Sequence, residues 1–133
     1  MIRKDDRKYR KTRIYNLETN KYCVKESLLD TGAKFTFISL QTVMELKLPF
    51  VGRFNIRHSN GTIEKTHVVY GAISVRGKIF PTPMVVSDNI DVHLIIGADF
   101  MEKYKMYLKF DNIKNDITLK SINKRIVWNK NDL

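Results

Sequence analysis

Apolar and polar residues alternate with a period of two through most of this chain, and this pattern limits the possible fold more than any other feature. Such alternation is typical of β-strands that bury one face. It predicts strands at 9–17, 22–29, 35–38, 68–75, 79–86, 94–96, 117–120 and 125–128, and another that begins at Phe54. Turn residues at 18–21, 59–61 and 76–78 separate several of them. We therefore expect a mainly β, small closed barrel-like domain.

Two short helices are expected within this β pattern. Ser39 suits an N-cap, and the apolar residues of 40–48 share one helical face before Pro49 ends the helix. Asp99 is predicted to cap a second helix that ends near Tyr104. The sequence therefore predicts one or two short helices rather than repeated βαβ units.

Length and composition fit a single globular domain. The chain has 133 residues, and 43% of them are hydrophobic, which argues against wholesale disorder. No apolar run approaches the ~20 residues that span a bilayer, and no apolar stretch follows the basic N-terminus as in a secretory signal. Cys23 is the only cysteine, and the three histidines are scattered. We expect no internal disulfide, no metal, no cofactor, no membrane partner and a reducing, cytoplasmic location.

Positive charge is concentrated at the N-terminus. The formal net charge is +10, and residues 1–13 contain seven Lys or Arg against two Asp, a net of +5. This segment is interpreted as a basic arm or edge strand that precedes a single domain at 14–133. One function would be contact with nucleic acid or another anionic surface. The alternative is a solvated arm or an edge strand protected by charge. We favour the alternative, because the chain lacks RNA-recognition and zinc-finger patterns.

The tetrapeptide Asp30-Thr31-Gly32-Ala33 directly follows a predicted strand. A carboxylate there lies at the edge of a core, where burial and neighbouring charges alter its proton affinity. The Thr31 hydroxyl can hold the loop, and Gly32 allows a sharp turn and close backbone approach. A simple Asx-type turn would also explain these residues.

Two further features follow in order: a hairpin around Asn60-Gly61, and Leu94-Ile95-Ile96-Gly97 leading into the second helix. Together with the Asp-Thr-Gly-Ala loop, they resemble the retropepsin group of aspartic proteases over residues 22–110. That group includes retroviral proteases, DNA-damage-inducible retroviral-like proteases and bacterial relatives, and the damage-inducible pattern is most similar. The resemblance implies an acid-protease monomer that works as a two-fold homodimer. It also implies a flap hairpin over the substrate and a hydrophobic-hydrophobic-Gly segment behind the catalytic loop.

A dimer is implied because the chemistry needs two carboxylates. One ionised carboxylate activates water, while the protonated partner donates to the peptide carbonyl. Two carboxyl groups about 3 Å apart do not both ionise cheaply, so in aspartic proteases the pair shares one proton. The chain has no second Asp-Thr-Gly or Asp-Ser-Gly. Asp30 of two copies would therefore meet on a two-fold axis.

The resemblance also implies roles for individual residues in a homodimer that cleaves peptide or protein substrates. Asp30, Thr31 and Gly32 would form the catalytic loop, with Thr31 reaching the partner's loop. The substrate-binding residues would be the backbone near Ala33 and Lys34, the flap tip Ser59, Asn60, Gly61 and Thr62, and the pocket-lining Phe37, His93 and Ile95. The simpler alternatives are core packing for Phe37 and Ile95 and an incidental position for His93.

The chain departs from the viral pattern at three places. Lys34-Phe35 stands where many viral members carry acidic residues, Ala98 where many carry an arginine that braces the dimer, and the hairpin tip lacks glycine-rich sequence. The leading hypothesis is an aspartic endopeptidase. A silent dimerisation or peptide-binding module and a basic nucleic-acid-binding β domain are the alternatives. The termini, at 2–9 and from Ile117 onward, are expected to contribute to the dimer interface.

Overall fold

The computed structural model describes residues 8–113, 116–122 and 127–128. Ten strands and two short helices form in these ranges. The strands are β1 (Tyr9–Tyr15), β2 (Tyr22–Leu29), β3 (Phe37–Ile38), β4 (Phe50–Arg57), β5 (Ile63–Val75), β6 (Lys78–Val86), β7 (Leu94–Ile96), β8 (Met106–Asp111), β9 (Asp116–Ser121) and β10 (Val127–Trp128). The helices are α1 (Leu40–Leu46) and α2 (Ala98–Lys103). The prediction of a mainly β chain with few helices is confirmed.

Six of the strands close into a barrel. The ring follows the order β1-β2-β7-β3-β6-β5, and β5 returns to pair with β1. That closing contact joins Arg13 to Ser74, Ile14 to Ile73 and Tyr15 to Ala72. Strand β4 lies outside the ring and forms an antiparallel hairpin with the first part of β5. Closure satisfies the strand edges that an open sheet would leave unpaired.

Strand β7 is inserted between two strands that are far from it in sequence. It runs parallel to β2 over Ser27 to Leu29 and antiparallel to β3 at Phe37 and Ile38. The apolar residues Leu94 and Ile96 are fully buried, in keeping with a core strand. This insertion places the C-terminal end of β7 directly beside the C-terminal end of β2.

A single hydrophobic core fills the barrel and continues under the second sheet. Alternate residues point inward, among them Ile14, Leu29, Ile38 and Ile73, all with no exposed surface. The same cluster includes Trp128 of the three-stranded sheet β10-β9-β8. The described C-terminal strands therefore pack on the barrel as part of one domain.

A buried arginine joins the N-terminal strand to the C-terminal sheet. Arg10 is 1% exposed, and its guanidinium donates to the carbonyls of Tyr9 and Ile117. Part of the basic N-terminal segment is thus internal to the fold, and the predicted boundary between residues 13 and 14 falls inside β1. Residues 1–7 lie outside the described ranges.

Local structure follows the sequence pattern, but several element bounds differ, and β5 begins at Ile63 rather than at Val68. Helix α1 ends at Leu46, two residues earlier than predicted, because Lys47 takes a left-handed C-cap conformation with φ of 53°. The predicted strand at 35–38 shortens to Phe37–Ile38, and β4 begins at Phe50 rather than Phe54. Strand β8 was not predicted, because Tyr107 breaks the alternation of its apolar residues. In the ranges that can be described, no helix is long and apolar enough to cross a membrane.

Candidate active site

Asp30 directly follows β2 and opens a short loop, with its side chain half-buried. Its amide donates to the Ile96 carbonyl at 3.0 Å, and its own carbonyl accepts from the Ala33 amide at 3.2 Å. Its Oδ1 accepts from the Gly32 amide at 2.9 Å. The carboxylate is therefore oriented by its own loop, while Thr31 and Gly32 are exposed beside it.

Helix α2 holds the other end of this loop. The Ala98 amide donates to the Ala33 carbonyl at 2.7 Å, and the Asp99 amide donates to the Lys34 carbonyl at 3.2 Å. The first amides of a helix have no partner within the helix, so these loop carbonyls satisfy them. This exchange fixes residues 30–34 against both β7 and α2.

Thr36, which is buried, and Asp99, which is half-buried, form a hydrogen-bonded pair behind the loop. Thr36 is fully buried, and its hydroxyl donates to Asp99 Oδ1 at 2.8 Å while accepting from the Gly97 amide at 3.1 Å. The prediction that Asp99 caps α2 is wrong. Gly97 occupies the N-cap position with no side-chain cap bond, and the Asp99 carboxylate is engaged by Thr36 and by the Phe100 amide.

Gly97 is required by close packing of backbone on backbone. A Cβ at this position would lie 2.3 Å from the Phe35 carbonyl oxygen and 2.8 Å from the Ala33 carbonyl oxygen. Neither atom belongs to a side chain that could rotate away. The glycine between β7 and α2 therefore allows the loop to lie directly against this segment.

Phe37 and Ile95 lie next to each other on the face that does not point into the core. They are paired across β3 and β7, and Ile95 is also paired with Leu28 of β2. All three side chains are half-buried, whereas Leu94 and Ile96 have no exposed surface. Because Leu28 precedes Asp30 by two residues, this apolar row begins beside the carboxylate.

The predicted flap corresponds to the β4–β5 hairpin, with its tip at 58–62. Ser59, Asn60, Gly61 and Thr62 are all exposed there. Asn60 Oδ1 accepts from the amide and hydroxyl of Thr62, and Gly61 has a φ of 87°, which suits glycine. Beneath the tip, His58 Nε2 and Glu64 Oε1 lie 3.1 Å apart. The hairpin therefore has an ordered turn, as its Asn-Gly sequence predicts.

One aromatic contact links this hairpin to the loop that begins at Asp30. The rings of Phe35 and Phe54 meet edge to face, with centroids 4.8 Å apart and an interplanar angle of 74°. On the same face of the hairpin, the Thr66 hydroxyl donates to the Val86 carbonyl at 2.8 Å. These contacts place the inner face of the hairpin against the body of the barrel beside the loop.

His93 has a local structural role. Its Nδ1 lies 2.9 Å from Ser39 Oγ and 3.3 Å from Thr42 Oγ1, and its carbonyl accepts from the Ser39 amide. Ser39 is the N-cap of α1, as predicted, and accepts from the Thr42 amide. The structure therefore places His93 at the start of α1, while the other proposed pocket residues, Phe37 and Ile95, lie together between β2 and β6.

The segment that contains the Asp30 loop, the hairpin and β7 matches a known protein family. A model of the family described as "gag-polyprotein putative aspartyl protease" matches residues 16–103, about two-thirds of the chain. The chain belongs to this aspartyl protease family. No curated protein sequence matches it significantly.

Two solved structures have a fold similar to that of this chain. The retroviral protease-like domain of Ddi1 from Leishmania major has a TM-score of 0.59 at 18% identity, covering 94% of this chain and 96% of that one. The EIAV protease, solved with the inhibitor HBY-793, has a TM-score of 0.53 at 24% identity, covering 71% of this chain and 86% of that one. The retropepsin-like aspartic protease fold predicted from the motifs is confirmed.

Several residues that build this aspartyl protease site were not singled out by the sequence. Thr36 holds the loop through the Gly97 amide, and Leu28 extends the apolar row, which its position two residues before Asp30 could have indicated. The Phe35–Phe54 contact had no signal, because the two residues lie on separate elements. Among the described residues, no cluster of three or more His, Cys, Asp or Glu could hold a metal ion.

Proposed function

We propose that this aspartyl protease is a homodimeric endopeptidase in which Asp30 of each copy contributes one carboxylate. The observation that supports this most is the loop itself. Its backbone is held at three places, by Ile96, Ala98 and Asp99, while the Asp30 carboxylate stays half-exposed. A fixed acid with an open face is suited to meet a second carboxylate from a two-fold partner.

The paired carboxylates would share one proton. The ionised Asp30 takes a proton from a water molecule as that water attacks the peptide carbonyl, and the protonated Asp30 of the partner donates to the carbonyl oxygen. The tetrahedral diol then collapses as one carboxyl protonates the departing amine and the other carboxylate takes the proton of a diol hydroxyl, which releases the amine and the carboxylic acid and returns the pair to one shared proton. Thr31, exposed beside Asp30, would contact the partner's loop.

The substrate would be an extended peptide between the loop and the β4–β5 hairpin. The half-buried Phe37 and Ile95 would accept apolar side chains, and residues 59–62 would cover the peptide from above. The Ala33 amide already donates to the Asp30 carbonyl, so it is less available to the peptide than the sequence suggested. The single free cysteine supports a reducing, cytoplasmic location for this activity.

The test compares Asp30→Asn with Asp88→Asn, which removes an exposed carboxylate elsewhere. Both variants and the wild type are incubated with a denatured protein across pH 4–7, and their masses are measured by light scattering. We expect Asp30→Asn to lose at least about 10²-fold in cleavage rate without losing the dimer, and Asp88→Asn to retain activity.

Two outcomes would favour the alternatives. A wild-type dimer that cleaves nothing and matches Asp30→Asn in every assay indicates a silent dimerisation or peptide-binding module. A salt-sensitive complex with RNA or DNA that disappears when residues 1–13 are deleted indicates the nucleic-acid-binding hypothesis. A strictly monomeric protein that still digests peptides would rule out the shared dyad.

A further inference from the structure

Lys34 is an exposed cation in the loop that begins with Asp30. Its carbonyl accepts from the Asp99 amide at 3.2 Å, so its backbone is fixed while its side chain is exposed. The ammonium lies 5.5 Å from the centre of the Phe35 ring. In the described ranges, no carboxylate lies within ion-pair distance of it. Lys34 therefore has charge available for a ligand.

The aromatic pair beside Lys34 gives this cation a defined position. Phe35 lies on the loop and Phe54 on the hairpin, and their ring contact forms an apolar wall between these two elements. A peptide running between loop and hairpin would pass this wall. The stem of a longer acidic side chain could pack on the rings while its carboxylate reaches the ammonium.

The charge of the whole chain acts in the same direction. A net charge of +10 raises the local concentration of acidic peptides and lowers that of basic ones. This long-range effect does not choose a position along the peptide. Lys34 can do so, because it lies on the rigid loop only four residues after Asp30.

We propose that Lys34 selects substrates that carry an acidic side chain close to their apolar cleavage residues. This inference rests on the proposed function for its cleft, but it concerns recognition rather than hydrolysis. The chemical class is an extended peptide with glutamate or aspartate at one position, and the determinant is the Lys34 ammonium at the edge of the Phe35–Phe54 wall.

The experiment measures binding without requiring cleavage. Fluorescent peptides with an apolar central pair carry Glu, Gln or Lys at each flanking position in turn, and their affinity for the Asp30→Asn protein is read by anisotropy. We expect a Glu peptide to bind about two- to fivefold more tightly than its Gln counterpart at one position, the size of an exposed ion pair. Raising the salt to roughly 0.5 M should abolish the difference.

The double variants Asp30→Asn/Lys34→Gln and Asp30→Asn/Lys34→Glu should lose and reverse this preference. The matched control is Asp30→Asn/Lys21→Glu, because Lys21 is exposed at the opposite end of β2. Its substitution changes the net charge by the same amount as Lys34→Glu. Equal affinity for Glu and Gln peptides at every position, or a preference that survives in the Lys34 variants, would overturn the proposal. The same peptides are also tested for hydrolysis by the wild type. A Lys34-dependent preference without hydrolysis supports this inference and contradicts the proposed protease activity.

Discussion

The Asp30 loop (residues 30–35) and the β4–β5 hairpin face each other, but they are built in opposite ways. The loop is joined by backbone hydrogen bonds to β7 and α2, and Thr36 and Gly97 behind it are buried. The hairpin strand β4 has no buried residue. Beyond its base, the hairpin contacts the barrel through the Phe35–Phe54 ring pair and the hydrogen bond from the Thr66 hydroxyl to the Val86 carbonyl.

This difference separates two requirements of a peptide-cleaving site. The acid must be held in place so that a second acid can meet it with correct geometry. In the proposed enzyme the hairpin must open to admit the peptide, and segments with few buried contacts open at low free-energy cost. The contrast predicts that equivalent substitutions will lower the free energy of unfolding much more at the loop than at the hairpin.

The largest effect is expected when a methyl group is added at Gly97. In Gly97→Ala the new Cβ would collide with the carbonyls of Phe35 and Ala33, so the loop must move away from α2. We expect at least about 3 kcal/mol of destabilisation, measured by urea unfolding. Activity should fall further than stability explains, because the displaced loop contains Asp30.

Gly52→Ala is the matched control on the hairpin. A Cβ at Gly52 would meet no heavy atom within 4 Å, so we expect the free energy of unfolding to stay within about 0.5 kcal/mol of wild type. If the two alanine variants were equally stable, the proposed contrast between a clamped loop and a loosely held hairpin would be wrong.

A second comparison removes one hydroxyl from each region. Thr36→Val leaves the Gly97 amide without its hydroxyl partner and removes one of the two hydrogen bonds to Asp99 Oδ1, and we expect a loss of about 1–3 kcal/mol. Thr66→Val removes a half-buried bond to the Val86 carbonyl, and we expect about 1 kcal/mol or less. Thermal and urea unfolding would measure both losses.

Thr36→Ser serves as the control for shape, because it keeps the hydroxyl and removes only a methyl group. It should retain the kcat of wild type more closely than Thr36→Val does. A Thr36→Ser protein as inactive as Thr36→Val would show that packing, rather than the hydrogen bonds to Asp99 and Gly97, sets the loop geometry.

The third prediction concerns the single aromatic contact between the two regions. Phe54→Ala removes the ring that meets Phe35. Such an aromatic contact stabilises a fold by about 0.5–1.5 kcal/mol. We expect faster amide hydrogen exchange along the hairpin and little change at the loop, because the loop is held independently. Phe50→Ala is the control, since Phe50 is 58% exposed and its ring meets His67 of the same hairpin. Equal acceleration by both variants would show that Phe35 does not anchor the hairpin.

The contrast also explains which parts of the fold the sequence could predict. The bounds of β2 and β7 match the predicted 22–29 and 94–96, because each run of strand-forming residues ends at a clear break, Asp30 or Gly97. The hairpin turns were likewise marked by glycine at 61 and 77, both with positive φ. These strand ends and turns are set by neighbouring residues in the sequence, so they could be predicted without knowledge of the tertiary contacts.

The assembly around the loop depends on residues far apart in sequence. Thr36 bonds to Asp99 across 63 positions, and the parallel pairing of β2 with β7 joins Leu28 to Ile95. No period or turn residue marks such contacts. The motifs around Asp30 and Gly97 indicated that these segments belong together only through their resemblance to a family, whereas Thr36 offered no motif at all.

The smallest predicted effect tests whether the rigid region extends along β2 to Cys23. Burial, and secondarily the neighbouring Glu45 carboxylate, raise the pKa of the Cys23 thiol to about 11, while Lys25, paired with Glu45 at 3.0 Å, opposes the shift. Alkylation requires the thiolate, so Cys23 should react slowly at pH 8 and faster as the pH rises.

Glu45→Gln removes the negative charge and leaves Lys25 unpaired, which lowers the pKa of Cys23 and should modestly accelerate alkylation. Burial remains the larger cause, so the rate should still lie well below that of the urea-unfolded protein. Glu18→Gln, in the exposed turn before β2, should leave the rate unchanged. If folded Glu45→Gln protein reacted as fast as unfolded chain, the start of β2 would open as easily as the hairpin, and the rigid region would be confined to the loop and α2.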